Sequence, residues 1–107
     1  MRFLVIAQLP IESGNEMIKQ GKLPNVIQSI MEYIKPEAVY FGLKNGNRTT
    51  YAIINMTDAS QIPKMLEPFF VGLDCSIELI PLMVAEDLAK AAPDIEAVTK
   101  NFGSLLN

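Results

Sequence analysis

The side chains in this sequence that could do chemistry are few, and all of them fall in segments expected to be strands. The stretch VYFGLKNGNRTTYAIINM supplies two tyrosines, a lysine and an asparagine, while an arginine lies at the start of the first expected strand and a glutamate lies in the last. These residues are Tyr40, Lys44, Tyr51, Asn55, Arg2 and Glu78. Tyrosine hydroxyls orient ligands by hydrogen bonding, and a buried carboxylate with a raised pKa can accept a proton. The pattern makes Glu78 and Tyr51 the catalytic candidates.

Two interpretations of these residues remain open. In the first, four side chains bind a small organic ligand: Tyr40, Tyr51, Asn55 and Arg2. Glu78 would then act as a general base, provided that it faces inward. In the second, the tyrosine rings form the core of a dimer interface, and Glu78 is an edge residue that is solvated or ion-paired.

The composition excludes several kinds of site. The 107 residues contain no histidine and one cysteine, Cys75. This removes the commonest general base and the usual ligands of zinc, haem iron and iron–sulfur clusters. We therefore expect no metal, no cofactor and no nucleophile activated by histidine. The net charge of −3 also argues against nucleic-acid binding, which needs clustered lysine and arginine.

The apolar run near the start of the chain, Phe3 to Ala7, raises the question of an export signal. The run is short and no small-residue cleavage site follows it, so we interpret it as a buried strand. The single cysteine cannot form an internal disulfide and suits a reducing compartment. No stretch approaches the ~20 apolar residues of a membrane span. These features predict a cytoplasmic protein without a membrane partner.

A β-hairpin is the element that the sequence predicts most clearly. Asn45-Gly46 lies between two alternating segments, and this dipeptide favours the type I′ turn because both residues tolerate positive φ. Pairing Lys44 with Asn47 places the candidate residues of the hairpin on one face. The opposite, apolar face consists of Val39, Phe41, Leu43, Ala52, Ile54 and Met56.

The remaining periodicity predicts a strand and an interrupted helix before the hairpin, and a second helix and a last strand after it. Two helix starts are predicted from capping patterns, a Ser13–Glu16 capping box and an Asp58 N-cap with Gln61. The predicted bounds are Arg2–Leu9 for the first strand, Lys35 for the end of the interrupted helix, Gly72 for the end of the second helix and Leu73–Leu82 for the last strand.

The resulting order, βαββαβ with a helical tail, predicts one domain over residues 1–107, with a core at 1–83 and an extension at 84–107. It is the order of the ferredoxin-like α+β fold, in which a four-stranded antiparallel sheet carries two helices on one face. The other face is bare within a monomer, and a large exposed apolar patch usually marks an interface. We therefore expect a homodimer.

The tail has an apolar stripe of its own. A break is predicted at Ala92-Pro93, and Ile95, Val98 and Phe102 follow at helical spacing. Two destinations for this stripe remain open, the domain that carries it and the partner copy.

Several segments resemble one protein family. They are GNEMIKQGKLPNVIQSIMEYIKPEAVYF, DASQIPKMLEPFF and CSIELIPLMVAEDL. From residue 1 to about 88 the chain is similar to small bacterial and archaeal proteins of unknown function in the dimeric α/β-barrel superfamily. More distant members are muconolactone isomerases, small monooxygenases and haem-degrading enzymes. The resemblance implies a dimer in which two sheets close a barrel.

The same resemblance leaves the function open between two classes. If the protein is catalytic, the family likeness implies cofactor-free isomerase or monooxygenase-like chemistry on a small organic molecule. The alternative is a non-catalytic assembly or binding module, in which side chains fill the barrel. Fold alone does not decide between them.

Overall fold

A four-stranded antiparallel sheet with helices on one face forms the body of the protein, in a computed structural model that describes residues 1–106. The elements in chain order are β1 (Arg2–Leu9), α1 (Ile11–Lys19), α2 (Leu23–Ile34), β2 (Ala38–Lys44), β3 (Asn47–Asn55), α3 (Ile62–Leu73), β4 (Ser76–Leu82) and α4 (Ala85–Phe102). The strand order across the sheet is β2-β3-β1-β4. The predicted α+β class and antiparallel sheet are confirmed, while the last residue of the predicted extension 84–107 lies outside the described residues.

The β2–β3 hairpin has the predicted register. Lys44 pairs with Asn47, and the two residues between them, Asn45 and Gly46, have φ of 54° and 76°. These left-handed values are those that a type I′ turn requires. Tyr40 is consequently opposite Tyr51.

The hydrophobic core lies between the sheet and helices α1, α2 and α3. Phe69 of α3 is completely buried, as are Ile54 of β3 and Val5 of β1. The other core residues come from the same layers and include Ala7, Leu9, Leu23, Ile30, Ile34, Ala52, Met56, Met65, Leu66, Leu73 and Cys75. Most of one face of the sheet is thus used for packing against helices, and the opposite face is free of them.

The predicted capping box at the first helix is wrong. The helix begins at Ile11, two residues before Ser13, because the chain turns at Pro10, whose carbonyl accepts from the Gly14 N–H at 2.9 Å. The Ser13 hydroxyl donates instead to the Asp74 carboxylate at 3.1 Å. The side chain that the pattern assigned to a local cap therefore makes a tertiary contact.

The predicted N-cap at Asp58 is confirmed. Its carboxylate accepts from the Ser60 N–H at 2.8 Å, and the Gln61 side chain accepts from the Asp58 N–H at 3.2 Å. Together these bonds form a capping box around the short 3-10 turn Ala59–Gln61, which leads directly into α3.

Helix α3 ends later than predicted, and β4 begins later. The helix continues through Gly72 to Leu73, and Asp74 takes a left-handed φ of 55°. The N–H groups of Asp74 and Cys75 return to the carbonyls of Phe70 and Phe69 at 3.0 and 3.1 Å. These hydrogen bonds use the N–H groups of Asp74 and Cys75 to end the helix, so the strand cannot begin before Ser76.

The C-terminal extension is one continuous helix, so the predicted break at Ala92-Pro93 is wrong. Two strong helix formers, Ala91 and Ala92, precede Pro93, and the helix continues through it although proline cannot donate the backbone hydrogen bond. Every side chain of α4 is exposed except Ala91, which is half-buried. Neither α4 nor any other helix within residues 1–106 has the length and the apolar content that crossing a membrane requires.

Helix α4 gives the molecule an elongated shape. The principal extents are 60 × 29 × 21 Å and the radius of gyration is 18.3 Å. A compact domain of this length has a radius of gyration of about 13 Å. The difference arises because α4 projects away from the sheet and the other helices.

Candidate functional site on the open face of the sheet

The face of the sheet that points away from the helices is called the open face here. Its centre is apolar, because the strand register brings Ile80, Leu4, Ile53 and Ala38 into one row across all four strands. Ile6 of the next row adds to this centre. Ile80 is 36% exposed, although it belongs to an apolar row. Leu4, Ile53 and Ala38 are half-buried and Ile6 is buried, so one copy of the chain leaves the apolar centre of the open face only partly covered.

The next row carries the predicted tyrosine pair and the predicted base. Tyr40, Tyr51, Ile6 and Glu78 follow one another across β2, β3, β1 and β4. The Tyr40 ring is 67% exposed, so it offers a large free surface. The structure brings Tyr40 and Tyr51 together as direct neighbours, and it places Glu78 on the far side of Ile6.

Tyr51 is held by its own hairpin. Its ring lies against Gly42, where a Cβ atom would be 3.6 Å from the ring, and its hydroxyl donates to the Leu43 carbonyl at 3.2 Å. The donor of the hydroxyl is thus already used. The oxygen can still accept a hydrogen bond from a ligand.

Glu78 lies on the open face in an ion pair. One carboxylate oxygen is 3.7 Å from Lys44 Nζ, and the Glu78 side chain is about half exposed. The arrangement offers Glu78 as a half-exposed hydrogen-bond acceptor beside a cation rather than as a deeply buried acid.

Arg2 and Asn55 converge on a third residue that the sequence analysis missed. Arg2 Nε donates to both carboxylate oxygens of Glu37, at 2.9 and 3.1 Å, and Asn55 Nδ2 donates to the same carboxylate. The hydrogen bond from Asn55, followed by that from Arg2, holds the pKa of Glu37 below its usual value. Arg2 and Asn55 face each other across neighbouring strands, and this pairing could have indicated that they share a hydrogen-bond acceptor. Nothing in the local sequence indicates that Glu37 is that acceptor.

This cluster predicts an acid-dependent loss of stability. Because folding lowers the pKa of Glu37, the carboxylate stabilises the fold above the usual value of 4.5, and the contribution disappears as the pH falls through the folded value. In Glu37→Gln, we expect the free energy of unfolding to depend less on pH below 4.5 than in the unaltered protein. Urea titrations at a series of pH values measure it, with Glu67→Gln as the control. Identical pH profiles for Glu37→Gln and the unaltered protein would contradict the assignment.

The candidate residues therefore form two groups at different levels of the sheet. Arg2 and Asn55 are four residues along their strands from Ile6 and Tyr51, which corresponds to about 13 Å. A small ligand cannot contact both groups within one copy. At the other end of the face, Gln8 accepts hydrogen bonds from Asn47 and Asn45 at 3.2 and 3.4 Å. The apolar centre thus has polar side chains at both ends.

Two apolar grooves lie on the helical side of the molecule. The larger, of about 520 Å³, runs between α2 and α3 and is called the α2/α3 groove; it is lined by Asn25, Val26, Ser29, Ile30, Tyr33, Pro68, Val71 and Gly72. The smaller, of about 390 Å³, lies between the hairpin and α2 and is called the hairpin groove; it is lined by Leu9, Leu23, Ile27, Phe41, Gly42, Leu43, Arg48, Thr49, Thr50, Leu73 and Cys75. The hairpin groove contains one charged side chain, Arg48, which donates to Asn15 at 3.0 Å.

Cys75 in this groove is expected to react slowly. Burial, with a smaller effect of the Asp74 charge, raises the pKa of its thiol from 9.0 to about 11. Because the thiolate is the reactive form, we expect reaction with 5,5′-dithiobis(2-nitrobenzoate) at pH 8 to be about 100-fold slower than that of an ordinary thiol. The absorbance of the released thiolate measures the rate, and the protein unfolded in guanidinium chloride is the control. Equal rates in the native and unfolded protein would contradict the prediction.

Within residues 1–106, no three side chains of histidine, cysteine, aspartate or glutamate gather closely enough to hold a metal ion. The chain matches no protein-family model and no curated protein, so the geometry described above carries the functional argument.

Proposed function

We propose that the protein is a homodimer of ferredoxin-like subunits whose open faces pack together and enclose a small organic molecule. The observation that carries this proposal is the apolar centre of the open face, which is partly exposed in a single chain, most of all at Ile80, and bordered by polar side chains at both ends. Contiguous apolar surface of this kind is typical of interfaces and ligand sites.

A second copy is the occupant that best matches the open face. Four strands of about seven residues present a footprint of roughly 400 Å². The footprint is apolar in its middle and polar at its ends. A two-fold axis that runs between the two open faces therefore places the apolar rows of the two copies against each other. Charged pairs at the ends, such as Arg2 with Glu37, remain near the rim, where their desolvation costs little.

The side chains of the tyrosine row define the chemistry of the ligand. The exposed ring of Tyr40 favours an aromatic or otherwise flat apolar molecule. The Tyr51 oxygen and the Glu78 carboxylate accept hydrogen bonds, and Lys44 beside Glu78 supplies a cation for a carbonyl or carboxylate group. The ligand is therefore a small, largely apolar molecule with one or two polar substituents.

Catalysis is the second candidate function, and the position of Glu78 supports it. Glu78 and Tyr51 lie on either side of Ile6 in the same row, at a Cα separation of about 10 Å, so one small ligand placed over Ile6 would contact both side chains. An ionised Glu78 could take a proton from a carbon next to a carbonyl and return it to another carbon of the same molecule. Such proton transfer is an isomerisation and needs no cofactor.

Native mass spectrometry of the full chain, followed by denaturing mass spectrometry, tests the proposal. We expect a dimer that carries extra mass in the native spectrum, and the unmodified chain mass in the denaturing spectrum. Tyr51→Phe and Glu78→Gln should both lower the fraction of dimer that retains the extra mass. Glu16→Gln, an exposed change on α1, is the matched control and should leave that fraction unchanged.

The other outcomes separate the parts of the proposal. A dimer without extra mass, with a closely packed interior, would favour the non-catalytic assembly module. If Tyr51→Phe and Glu78→Gln change stability but never ligand retention, the assigned site is wrong. A monomer at all concentrations would overturn the dimer itself.

A further inference from the structure

Helix α4 has an apolar stripe with nothing of its own chain to pack against. Leu88, Ala91, Ile95, Val98 and Phe102 recur at alternating spacings of three and four residues, and Leu105 continues the spacing in the 3-10 turn Gly103–Leu106 that follows α4. This period is typical of a helix that packs along its length on another apolar surface. The larger members of the stripe, from Leu88 to Leu105, are all more than half exposed.

An isolated helix of this length is marginal in water. α4 has 18 residues and contains Pro93 in its interior. Helices of about 12–15 residues are barely stable alone, and a proline inside one costs about 3 kcal/mol. A surface that covers the stripe is therefore needed to explain why α4 is helical.

The hairpin groove is an uncovered apolar surface of matching character. Helices α1 and α3 pack on β3 and β4, whereas β2 lies at the edge of the sheet and extends past the helical layer. As a result Phe41 and Leu43, which point to the helical side, are 59% and 73% exposed. These two residues and α2 line the groove of about 390 Å³.

We infer that α4 is an exchanged arm, whose apolar stripe fills the hairpin groove of the second copy in the dimer. The inference rests on the proposed dimer. The chain itself provides both surfaces, the exposed stripe and the exposed groove, and each copy offers one of each.

The strand order explains why the arm reaches this groove. When two copies of a sheet close a barrel around a two-fold axis that runs along it, each edge strand meets the opposite edge strand of the other copy. In the order β2-β3-β1-β4, the strand β4 of one copy therefore lies beside β2 of the other. α4 begins at Ala85, three residues after β4 ends at Leu82, so it emerges near the start of the second copy's β2. Its 18 residues, about 27 Å, are long enough to run back along β2 to the hairpin groove.

Charge complements the shape. Asp87 and Asp94 flank the stripe on one side, and α4 as a whole has four acidic and two basic residues. The hairpin groove has Arg48 as its charged lining residue. Two α4 helices paired with each other would instead lack oppositely charged flanking residues, since Ala92 and Thr99 lie on the other side of the stripe.

The buried area supports the same arrangement. The open face alone supplies a footprint of roughly 400 Å² per copy, against about 800 Å² for a stable interface. A helix of 18 residues is about 27 Å long and presents a strip about 10 Å wide. Each copy buries one such strip on its own arm and another in its own groove, so arm exchange adds roughly 500 Å² of buried surface per copy. The total then reaches the usual size of a stable interface.

Disulfide trapping tests the inference in a Cys75→Ser background. One variant carries Leu43→Cys in the groove and another carries Ile95→Cys in the arm; the two are mixed, allowed to exchange subunits and oxidised. We expect a covalent heterodimer, identified by its intact mass, because docking brings the two thiols within bonding distance. Val71→Cys is the matched control, since it replaces an exposed apolar residue of the α2/α3 groove.

Each alternative has its own result. Cross-linking of Ile95→Cys to itself would show that two arms pair, and cross-linking to Val71→Cys would place the arm in the α2/α3 groove. A compact cross-linked monomer from the double variant Leu43→Cys/Ile95→Cys would show that the arm folds back on its own domain. If no cross-link forms in a protein that native mass spectrometry shows to be dimeric, the inference that α4 is exchanged is wrong. The proposed function is not affected by that result.

A second measurement uses the affinity of the dimer. Ile95→Asp places a charge in the stripe, and we expect it to raise the dissociation constant by about 100-fold or more. Ala97→Asp makes the same helix-disfavouring change on an exposed position outside the stripe and should leave the dissociation constant within about threefold. Equal effects of the two variants would overturn the inference.

Discussion

Replacing Phe69 with alanine is expected to lower the free energy of unfolding by about 3–5 kcal/mol. The Phe69 side chain is 0% exposed and lies between α3 and the sheet, where Ile54 and Val5 are equally buried. Its removal takes away the transfer free energy of a large ring and leaves a cavity that the surrounding strands cannot close. Domains of this size are stable by only about 5–15 kcal/mol, so the midpoint of urea unfolding should fall sharply.

Phe70→Ala is the matched control for this prediction. Phe70 is the next residue on the same helix but points outward and is 41% exposed, so the loss should be below about 1.5 kcal/mol. Comparable losses for Phe69→Ala and Phe70→Ala would contradict the assignment of the core to the layer between α3 and the sheet.

Introducing a charge at Ile80 is expected to weaken self-association by about 1,000-fold or more. Ile80 belongs to the apolar row of the open face, together with Leu4 and Ile53. Ile80→Asp would place one carboxylate from each copy on the apolar row of the proposed interface, on the edge strand β4 that faces β2 of the second copy, and each uncompensated charge costs several kcal/mol to desolvate. The fold of a single chain should survive, because Ile80 is already partly exposed there.

Sedimentation velocity over a range of concentrations measures this effect. Ile18→Asp on α1 replaces another exposed isoleucine, away from the open face, and should leave the dissociation constant nearly unchanged. A dimer that tolerates Ile80→Asp but dissociates with Ile18→Asp would place the interface on the helical side and contradict the proposed function.

The sequence predicts the hairpin correctly because its determinants are local. Asn45-Gly46 requires a two-residue turn, and the two-residue periodicity of a strand then assigns every side chain of β2 and β3 to a face. The Asp58 cap was predictable for the same reason, since its partners Ser60 and Gln61 follow within three residues. The pairing of Tyr40 with Tyr51 follows from the hairpin alone.

The contacts of the candidate site were not predictable, because they join distant parts of the chain. The Glu37 carboxylate accepts a hydrogen bond from Arg2 of the first strand, which lies 35 residues away in the sequence. The Ser13 hydroxyl donates to Asp74 instead of capping its own helix. The exposure of Phe41 and Leu43 likewise depends on how far the helical layer extends over the sheet. A side-chain pattern assigns a residue to a face of a strand, but the neighbouring layer decides whether that face is covered.

The projecting α4 has a consequence for how the protein responds to dilution. A helix stabilised by a second copy is subject to mass action, so its population depends on the concentration of the protein itself. If the arm docks as inferred, dissociation of the proposed dimer would remove the surface that compensates for Pro93, and the helix would fray while the sheet persists. The circular dichroism of the arm would then report assembly directly, and folding of this segment would be inseparable from association.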